Sequence, residues 1–356
     1  MRWTDLRTGY RCNQQCRFCD QGDAAARLGD AAHEAVVAAM VAIPHREAII
    51  LAGGEVTLRP DLPKLVAAAR SLGFKRVAVQ TNGQVLASSA AAASLRAAGL
   101  TDVVVAIHAS DADTHDWLTG LPGSFRRGVT AARRAHAAGL MVYLSTVLTR
   151  TTTPMAARMV LLARSVGATS IRFTPCREAG AAVSEVGMLA PRLSLVAEVL
   201  AAAAEVGRES GVAVEVVGVP LCLGPDLRTL AADRLDVPGV DRRSALATPE
   251  DREDRAYGAA CAACSLRGVC PGVEAAYARR WGFDELAPVG APAPAVPDCV
   301  DVHVGETDPA RTLKQRLVKA QSTGTAAVRF VGPASATHPD LAGLRKECER
   351  LGLVTR

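Results

Sequence analysis

The sequence predicts an α/β fold in which parallel strands are covered by helices, arranged either as an open sheet or as a barrel. Three observations predict it: strand-like and helix-like segments alternate from about residue 35 to about residue 210, glycines follow several of the strands, and hydrophobic residues make up 49% of the 356 positions. Such alternation is the pattern of a parallel sheet with helical crossovers. The hydrophobic fraction is large enough for a sizeable core.

The predicted elements follow one another in a regular order. The helix that begins at Pro60 and Asp61 and ends at Gly73 has the clearest start and stop signals. In such folds the functional loops lie beyond the carboxyl ends of the strands. Strands are predicted at 46–54, 75–83, 101–110, 141–149 and 168–176, with helices at 60–73, 88–99, 125–139 and 153–167.

Composition argues against several classes of function. The formal charge of +5 is small and dispersed, so it does not indicate binding to nucleic acid. The amino-terminal residues lack the apolar core of a secretory signal, and no window of about 18 residues is uninterruptedly apolar, so we expect no membrane span and a cytoplasmic location. Ten cysteines in a cytosolic protein favour metal binding or catalysis over disulfides.

The alternation weakens after residue 210, which suggests three regions. We expect a core at 1–210, a second region at 211–290 that contains a separate cysteine group, and a tail at 291–356. A Pro/Ala-rich segment at 286–298 has the composition of a linker.

The first cysteine group has the spacing C-x3-C-x2-C and comprises Cys12, Cys16 and Cys19. Iron–sulfur cubes are normally held by four thiolates. Three cysteines on one loop would hold three irons and leave the fourth open to an outside ligand, as in catalytic metal sites. A zinc site completed by a distant residue is the alternative.

Several motifs in order resemble the radical S-adenosylmethionine (radical SAM) enzymes. Phe18 precedes the last cysteine of the first group, and Gly53, Gly54 and Glu55 follow a predicted strand where that family has its Gly-Gly-Glu motif. The stretches 79–83 and 105–129 are also similar, the latter to the peptide- and small-molecule-modifying branches. The resemblance implies a partial (β/α)6 TIM-like barrel, and it implies that Gly53, Gly54 and Glu55 contact the amino group of SAM.

The resemblance also implies the cofactors and the chemistry. SAM would chelate the open iron of the [4Fe–4S] cluster, and an electron donor such as flavodoxin or ferredoxin would reduce that cluster. Cleavage of SAM would give a 5′-deoxyadenosyl radical that takes a hydrogen atom from the substrate. The cofactor carries the difficult step, and the protein orients it.

The second cysteine group has the spacing C-x2-C-x5-C and comprises Cys261, Cys264 and Cys270. After a radical SAM domain, this pattern resembles the auxiliary-cluster extensions called SPASM and twitch domains. Cys222 is the preferred fourth ligand and Cys299 the alternative. A zinc knuckle is the other interpretation. We expect one auxiliary [4Fe–4S] cluster, with no vacant iron, for electron transfer or structure.

Four further residues are candidates for the site because they lie at or near predicted strand ends. Cys176 could donate a hydrogen atom to a product radical, as a cysteine does in some family epimerases, or it could be a small core residue. Asn82 and His108 could line the SAM pocket, although Asn82 also suits a turn. Arg172 could pair with the carboxylate of SAM or lie on the surface.

Two functions remain open at this point. The first is an enzyme that modifies a peptide side chain, as in ribosomal peptide maturation. The second is an enzyme that dehydrogenates or epimerises a small molecule, such as an aminoglycoside-type sugar or a cofactor precursor. A non-catalytic electron carrier is disfavoured, because a carrier needs neither an open iron nor the Gly-Gly-Glu motif.

The tail contains an echo of the core. Residues 328–352 align without gaps on residues 49–73, with Gly332 opposite Gly53 and a Pro-Asp-Leu triplet in both. One interpretation is that any strand–loop–helix unit whose helix begins with Pro-Asp has a similar sequence. The other is that the tail is a decayed duplicate of the core segment, or the start of a second domain. Ala334 replaces Glu55 and Pro333 replaces Gly54, so the tail copy should not repeat the function of the first.

Overall fold

The computed structural model describes residues 2–21, 28–233, 241–245, 255–290, 299–322, 325 and 327–355. The chain divides into two compact units, Met1–Val289 and Gly290–Arg356. Part of the predicted linker, 291–298, lies outside the described residues, whereas its first residues, 286–289, belong to the first unit.

The first unit is built on a wholly parallel sheet of eight described strands. Their order is β7-β6-β5-β4-β3-β2-β1-β8, and β1 pairs with β2 so that Trp3 lies opposite Ala48. The strands are β1 Trp3–Arg7, β2 Ala48–Ala52, β3 Arg76–Thr81, β4 Asp102–Ala106, β5 Met141–Leu148, β6 Ala168–Pro175, β7 Ala213–Val216 and β8 Asp241–Ser244.

Helices connect these strands. Most of them pack on one face of the sheet and form a single apolar core with it. They are α1 His33–Val41, α2 Leu62–Ser71, α3 Ser89–Ala97, α4 Ala112–Thr119, α5 Ser124–Ala137, α6 Ala156–Ser165, α7 Ala182–Leu189, α8 Leu193–Ser210 and α9 Leu227–Leu230.

Alternation along the strands separates the two faces of the sheet. In β5, Val142, Leu144 and Leu148 are buried in the helix-packed core, whereas Tyr143 between them is only half-buried. Gln80 is exposed although β3 lies between two neighbouring strands, so the face opposite the helices is open to solvent there. The sheet is therefore a partial barrel with an accessible interior, and the predicted fold class is confirmed.

The second cysteine group lies in a short region that packs against the end of β6. An antiparallel pair, β9 (Arg255–Ala256) and β10 (Val273–Glu274), is followed by α10 (Ala275–Trp281). The Tyr277 hydroxyl accepts a hydrogen bond from the Leu193 N–H at 3.0 Å. This region is thus fastened to the barrel through the segment that follows β6.

The second unit is a small α/β fold with its own core. Its parallel sheet has the order β11-β12-β13, with helices α11 and α12 between the strands. The elements are β11 Val300–His303, α11 Ala310–Ser322, β12 Ala327–Val331, α12 Leu341–Arg350 and β13 Val354–Thr355.

The sequence echo has a structural counterpart. Strands β2 and β12, and helices α2 and α12, begin and end at positions that correspond in the gap-free alignment. The residues before the two helices have nearly the same backbone angles: Asp61 has φ −92° and ψ 3°, and Asp340 has φ −90° and ψ 7°. The two segments therefore share a local fold, although Pro333 has no N–H and Ala334 no carboxylate.

The described residues contain no single helix long and apolar enough to cross a membrane. One bent pair, α7 and α8, passes the length and composition test together, with an angle of 66° between its helices.

Candidate functional site

The loop that carries the first cysteine group leaves β1 and runs beside the end of β2. The N–H of Gly54 donates to the Gly9 carbonyl at 3.1 Å, and the N–H of Glu55 donates to the Arg11 carbonyl at 2.8 Å. A Cβ at Gly54 would overlap the carbonyl oxygens of Tyr10 and Arg11, and one at Gly53 would overlap that of Gly9. The cysteine loop is thus anchored by backbone contact.

This contact shows what the two glycines do within the fold. The resemblance implies that Gly53 and Gly54 contact the amino group of SAM. In the structure they allow the cysteine loop to approach, and the Gly53 carbonyl accepts a hydrogen bond from Gln21 Nε2 at 3.0 Å. Gly53 also has φ of +152°, a conformation in which side chains are strained.

Glu55 likewise serves the fold. Its carboxylate is buried and accepts hydrogen bonds from the Thr57 N–H at 3.0 Å, from the Thr57 hydroxyl, from the Thr81 hydroxyl at 2.7 Å and from the Asn82 N–H at 2.6 Å. Most of the acceptor capacity of this carboxylate is therefore used within the fold, and Oε2 accepts the Asn82 N–H alone. Burial raises the pKa of Glu55, while these hydrogen bonds oppose the rise.

The three thiols of the loop lie close enough to influence one another. Burial raises the pKa of Cys16, and the neighbouring Cys19 and Cys12 raise it further. Burial also raises the pKa of Cys19, while the nearby Arg7 at the end of β1 lowers it. Among the described residues, no three His, Cys, Asp or Glu side chains are arranged to hold a single metal ion, which needs a closer spacing than thiolates that bind different irons of a cube.

Asn82 reaches the cysteine loop from the end of β3. Its Nδ2 donates to Asn13 Oδ1 at 2.8 Å and lies 3.9 Å from the Cys12 sulfur. Its side-chain oxygen accepts from the Gln84 N–H at 3.1 Å, as in the turn that the sequence suggested. Asn82 therefore combines a turn role with contact to the loop.

An aromatic stack connects the loop to the end of β4. The ring of Phe18 meets His108 edge-on at 4.6 Å, and His108 stacks on His115 at 5.7 Å. His108 Nδ1 accepts a hydrogen bond from the Val147 N–H at 3.1 Å, so a neutral ring carries its proton on Nε2. Burial lowers the pKa of His108 well below its usual range and that of His115 to about 4.

Cys176 lies beside the first cysteine group. It belongs to a small apolar cluster with Phe18 and Leu118, against which Cys16 packs. It also lines a cavity of about 30 Å³ with residues from the second cysteine region. Burial raises the pKa of the Cys176 thiol to about 12, so the thiol keeps its proton at neutral pH.

Arg172 pairs with a carboxylate of the neighbouring strand. The sequence suggested that it meets the carboxylate of SAM, but its Nε and Nη2 donate to Glu215 Oε2 at 2.9 and 2.7 Å. The two residues are register partners on β6 and β7. The guanidinium therefore already has a carboxylate partner within the fold.

Arg177 was not singled out from the sequence, yet it joins the two cysteine regions. It forms an ion pair with Asp20, which directly follows Cys19, at 3.3 Å, and a second ion pair with Glu274 in β10. The sequence could have indicated Arg177 by its position just beyond the carboxyl end of β6, because functional side chains concentrate at the carboxyl ends of parallel strands.

The second cysteine group gathers around Cys222. Burial raises the pKa of Cys222 to about 11, and the nearby Cys270 and Cys261 contribute to the rise. Cys264 lies on the same short segment, and its sulfur accepts a hydrogen bond from the Val289 N–H at 3.3 Å. Cys299, the alternative ligand, belongs to the second unit.

The donor sets fit iron–sulfur clusters. The first loop presents three thiols that would repel one another when ionised, and the second region presents four. Two buried polar atoms of the first site, Gln14 Nε2 and Ser110 Oγ, have no hydrogen-bond partner within the described parts of the chain. Such atoms are expected where a bound group completes a site.

The part of the chain that carries the first of these sites is similar to known proteins. Residues 6–159 match the model of the Radical SAM superfamily. A probable GTP 3′,8-cyclase of Metallosphaera sedula is 30% identical over 160 residues, which are 44% of this chain and 50% of the relative. The corresponding protein of Saccharolobus solfataricus is 29% identical over 174 residues, 48% of this chain and 56% of the relative. The chain thus matches about half the length of these curated relatives.

Among solved structures, Streptococcus suis SuiB bound to its precursor peptide SuiA has a similar fold. The match has a TM-score of 0.60 and 13% sequence identity, and it covers 81% of this chain and 75% of SuiB. At this identity the likeness concerns the fold. The residues that match the Radical SAM superfamily model, 6–159, contain the three-cysteine loop, the Gly-Gly-Glu segment and most of the strand ends that surround them.

Proposed function

We propose that this chain is a radical SAM enzyme whose open [4Fe–4S] cluster is held by Cys12, Cys16 and Cys19. The observation that carries the proposal is the mutual proximity of these thiols on a loop anchored to the Gly-Gly-Glu segment. When bound, SAM and the reduced cluster supply a carbon-centred radical that removes a hydrogen atom from the substrate.

The residues around the loop have separate roles in this proposal. Gly53, Gly54 and Glu55 hold the loop, while the Oε2 atom of Glu55 keeps capacity for a further donor. Neutral His108 offers its Nε2–H, and the proton position is fixed by the Val147 N–H. Phe18 shields the loop on the side of His108.

We further propose one auxiliary [4Fe–4S] cluster with Cys222, Cys261, Cys264 and Cys270 as ligands. Four thiolates fill all four irons of a cube. Such a cluster would transfer electrons or support the structure without binding substrate. Spectra in which substrate perturbs a single iron of this cluster would count against that assignment.

A peptide side chain is the preferred substrate. The preference is supported by the similarity in fold to SuiB, whose structure contains a bound precursor peptide, over 81% of this chain. A small molecule is the second candidate, and the likeness in sequence to probable GTP 3′,8-cyclases supports a nucleotide in particular. Flavodoxin or ferredoxin is the proposed electron donor in both cases.

One experiment distinguishes a peptide substrate from a nucleotide substrate. Reconstituted enzyme, reductant and SAM are incubated with candidate precursor peptides or with GTP, and the products are weighed by mass spectrometry. A peptide that loses two hydrogens, with formation of 5′-deoxyadenosine, supports the first class. Conversion of GTP without change in any peptide supports the second, and the triple variant Cys12→Ala/Cys16→Ala/Cys19→Ala is the control for SAM-independent reactions.

Cys176 is proposed as a hydrogen-atom donor to the product radical for the case of an epimerisation, which leaves the number of hydrogens unchanged. The S–H bond would break and a C–H bond would form, and the sulfur radical left on Cys176 would be reduced by one electron from the auxiliary cluster and one proton from solvent. The Cys176 thiol remains protonated because it is buried, and it packs beside Phe18 at the carboxyl end of β6. Cys176→Ala should keep SAM cleavage but no longer place a solvent-derived deuterium in the product. Unchanged deuterium incorporation would assign Cys176 to the core.

A further inference from the structure

The segment Leu286–Val289, here called the closing strap, runs past the sulfurs of the second cysteine group. The Val289 N–H donates to the Cys264 sulfur at 3.3 Å. The backbone N–H of Ala287 donates to the Cys222 sulfur, and this hydrogen bond acts to lower the pKa of that thiol. Two of the four proposed ligands therefore receive a hydrogen bond from the strap.

Ser265 fixes the strap in this position. The Val289 carbonyl accepts hydrogen bonds from the Ser265 N–H at 2.8 Å and from its hydroxyl at 2.9 Å. Ser265 directly follows Cys264. Both the N–H and the carbonyl of Val289 thus form hydrogen bonds with Cys264 and Ser265. A segment that only links two regions would not need these hydrogen bonds.

A third sulfur, that of Cys270, also accepts a hydrogen bond from a backbone N–H. The Gly272 N–H donates to the Cys270 sulfur at 3.4 Å, in a turn where Gly272 has φ of +73°. A side chain at Gly272 would crowd the Ala256 carbonyl and the Tyr257 ring. Three of the four sulfurs therefore face backbone N–H groups, which is the pattern of a site prepared for negatively charged sulfur.

We infer that the closing strap is part of the auxiliary cluster site and raises the reduction potential of that cluster through the N–H groups of Ala287 and Val289. The inference rests on the proposed auxiliary cluster. Hydrogen bonds to the sulfurs are among the determinants of cluster potential. An N–H dipole stabilises the additional negative charge of the one-electron-reduced form more than it stabilises the oxidised form, so it makes reduction easier.

The test compares two substitutions at Val289. Val289→Pro removes the N–H, whereas Val289→Ala keeps it and is the matched control. Both are made in the full-length chain with Cys12, Cys16 and Cys19 replaced by alanine, so that only the auxiliary cluster contributes to the spectrum. Its reduction potential is measured by a titration monitored by electron paramagnetic resonance. We expect Val289→Pro to shift the potential to more negative values than Val289→Ala.

Every outcome of this test either supports or overturns the role of the strap. Equal potentials in the two variants would overturn the role of the strap. If the Val289→Pro protein does not retain the cluster, Ser265→Ala is tested instead, because that change loosens the strap and keeps every backbone N–H. We then expect a smaller shift of the potential to negative values. An unchanged potential in Ser265→Ala would overturn the inference. Absence of any cluster signal in the parent triple variant would instead refute the auxiliary cluster itself.

Discussion

At the scale of single residues, sequence motifs pointed to several strand ends but did not identify the contacts that these side chains make. Glu55 was expected to face SAM, yet its carboxylate accepts bonds from Thr57, Thr81 and Asn82. Arg172 was expected to meet a carboxylate and does so, but that carboxylate is Glu215 on β7. Spacing reveals which residue types lie near a strand end, whereas their partners depend on how neighbouring loops and strands cross.

Substitution of Glu55 should therefore act first on stability. Glu55→Gln replaces one acceptor oxygen by an NH2 group, which leaves a buried donor without an acceptor and costs about 1–3 kcal/mol. We expect a lower free energy of unfolding in urea, whereas Glu198→Gln, at an exposed position of α8, is the control. A Glu55→Gln protein that unfolds like the wild type and loses only SAM binding would contradict this account.

Because of the stacked histidines, we expect the free energy of unfolding to depend on pH. His115 has a pKa of about 4 in the folded protein, so below about pH 6.5 the unfolded chain binds a proton that the folded chain does not. The free energy of unfolding should fall as the pH is lowered from 6.5 towards 4. His115→Gln should reduce the slope by about 1.4 kcal/mol per pH unit.

Urea unfolding at pH 5.0, 5.5, 6.0 and 6.5 measures this slope. His136→Gln, which removes an exposed histidine on α5, is the control for losing a histidine elsewhere. A slope unchanged by His115→Gln would show that the ring is not held neutral by its burial.

At the scale of elements, the alternating hydrophobic pattern predicted the five strands and four of the five helices between about residues 46 and 176. Helix α4, Ala112–Thr119, was not predicted. Strand β3 ends at Thr81, before Asn82 and Gly83 form a turn, which shortens the predicted element. Strand β8 could not be predicted, since its sequence Asp-Arg-Arg-Ser has no apolar alternation. It is a strand because it pairs with the edge of β1.

The contact between the β2 end and the cysteine loop is the element-level feature with the sharpest test. Gly54→Ala would push a Cβ into the carbonyls of Tyr10 and Arg11 and displace the loop. We expect iron bound at the first site to decrease after reconstitution. Gly187→Ala in α7, where nothing lies within 4 Å of the new Cβ, should keep the full iron content.

Iron and sulfide analysis of the two variants decides the question. Retention of the first cluster by Gly54→Ala at the level of Gly187→Ala would mean that the loop does not depend on this approach.

At the scale of the whole molecule, the sequence predicted a core, a cysteine-bearing extension and a tail. The structure describes two compact units, and the second cysteine group lies in the same unit as the barrel. The tail echo was visible in sequence because Pro-Asp and the flanking glycines define the same strand–loop–helix path twice. Its lack of a counterpart to Glu55 follows from Ala334.

The choice between Cys222 and Cys299 gives a prediction for the intact chain. Cys222 lies near Cys261 and Cys270, whereas Cys299 belongs to the other unit. Cys222→Ala should lose about four of the roughly eight irons expected for two cubes. Cys299→Ala should lose none, and loss of a cluster in Cys299→Ala alone would reverse the assignment.

The central claim is that the three-cysteine loop holds the cluster that cleaves SAM. Its most direct test measures 5′-deoxyadenosine formed under reducing conditions by the wild type and by Cys12→Ala/Cys16→Ala/Cys19→Ala, with iron quantified in both. We expect the variant to keep about four irons in its auxiliary cluster and to form no 5′-deoxyadenosine. Continued formation of 5′-deoxyadenosine by a folded variant would contradict this claim.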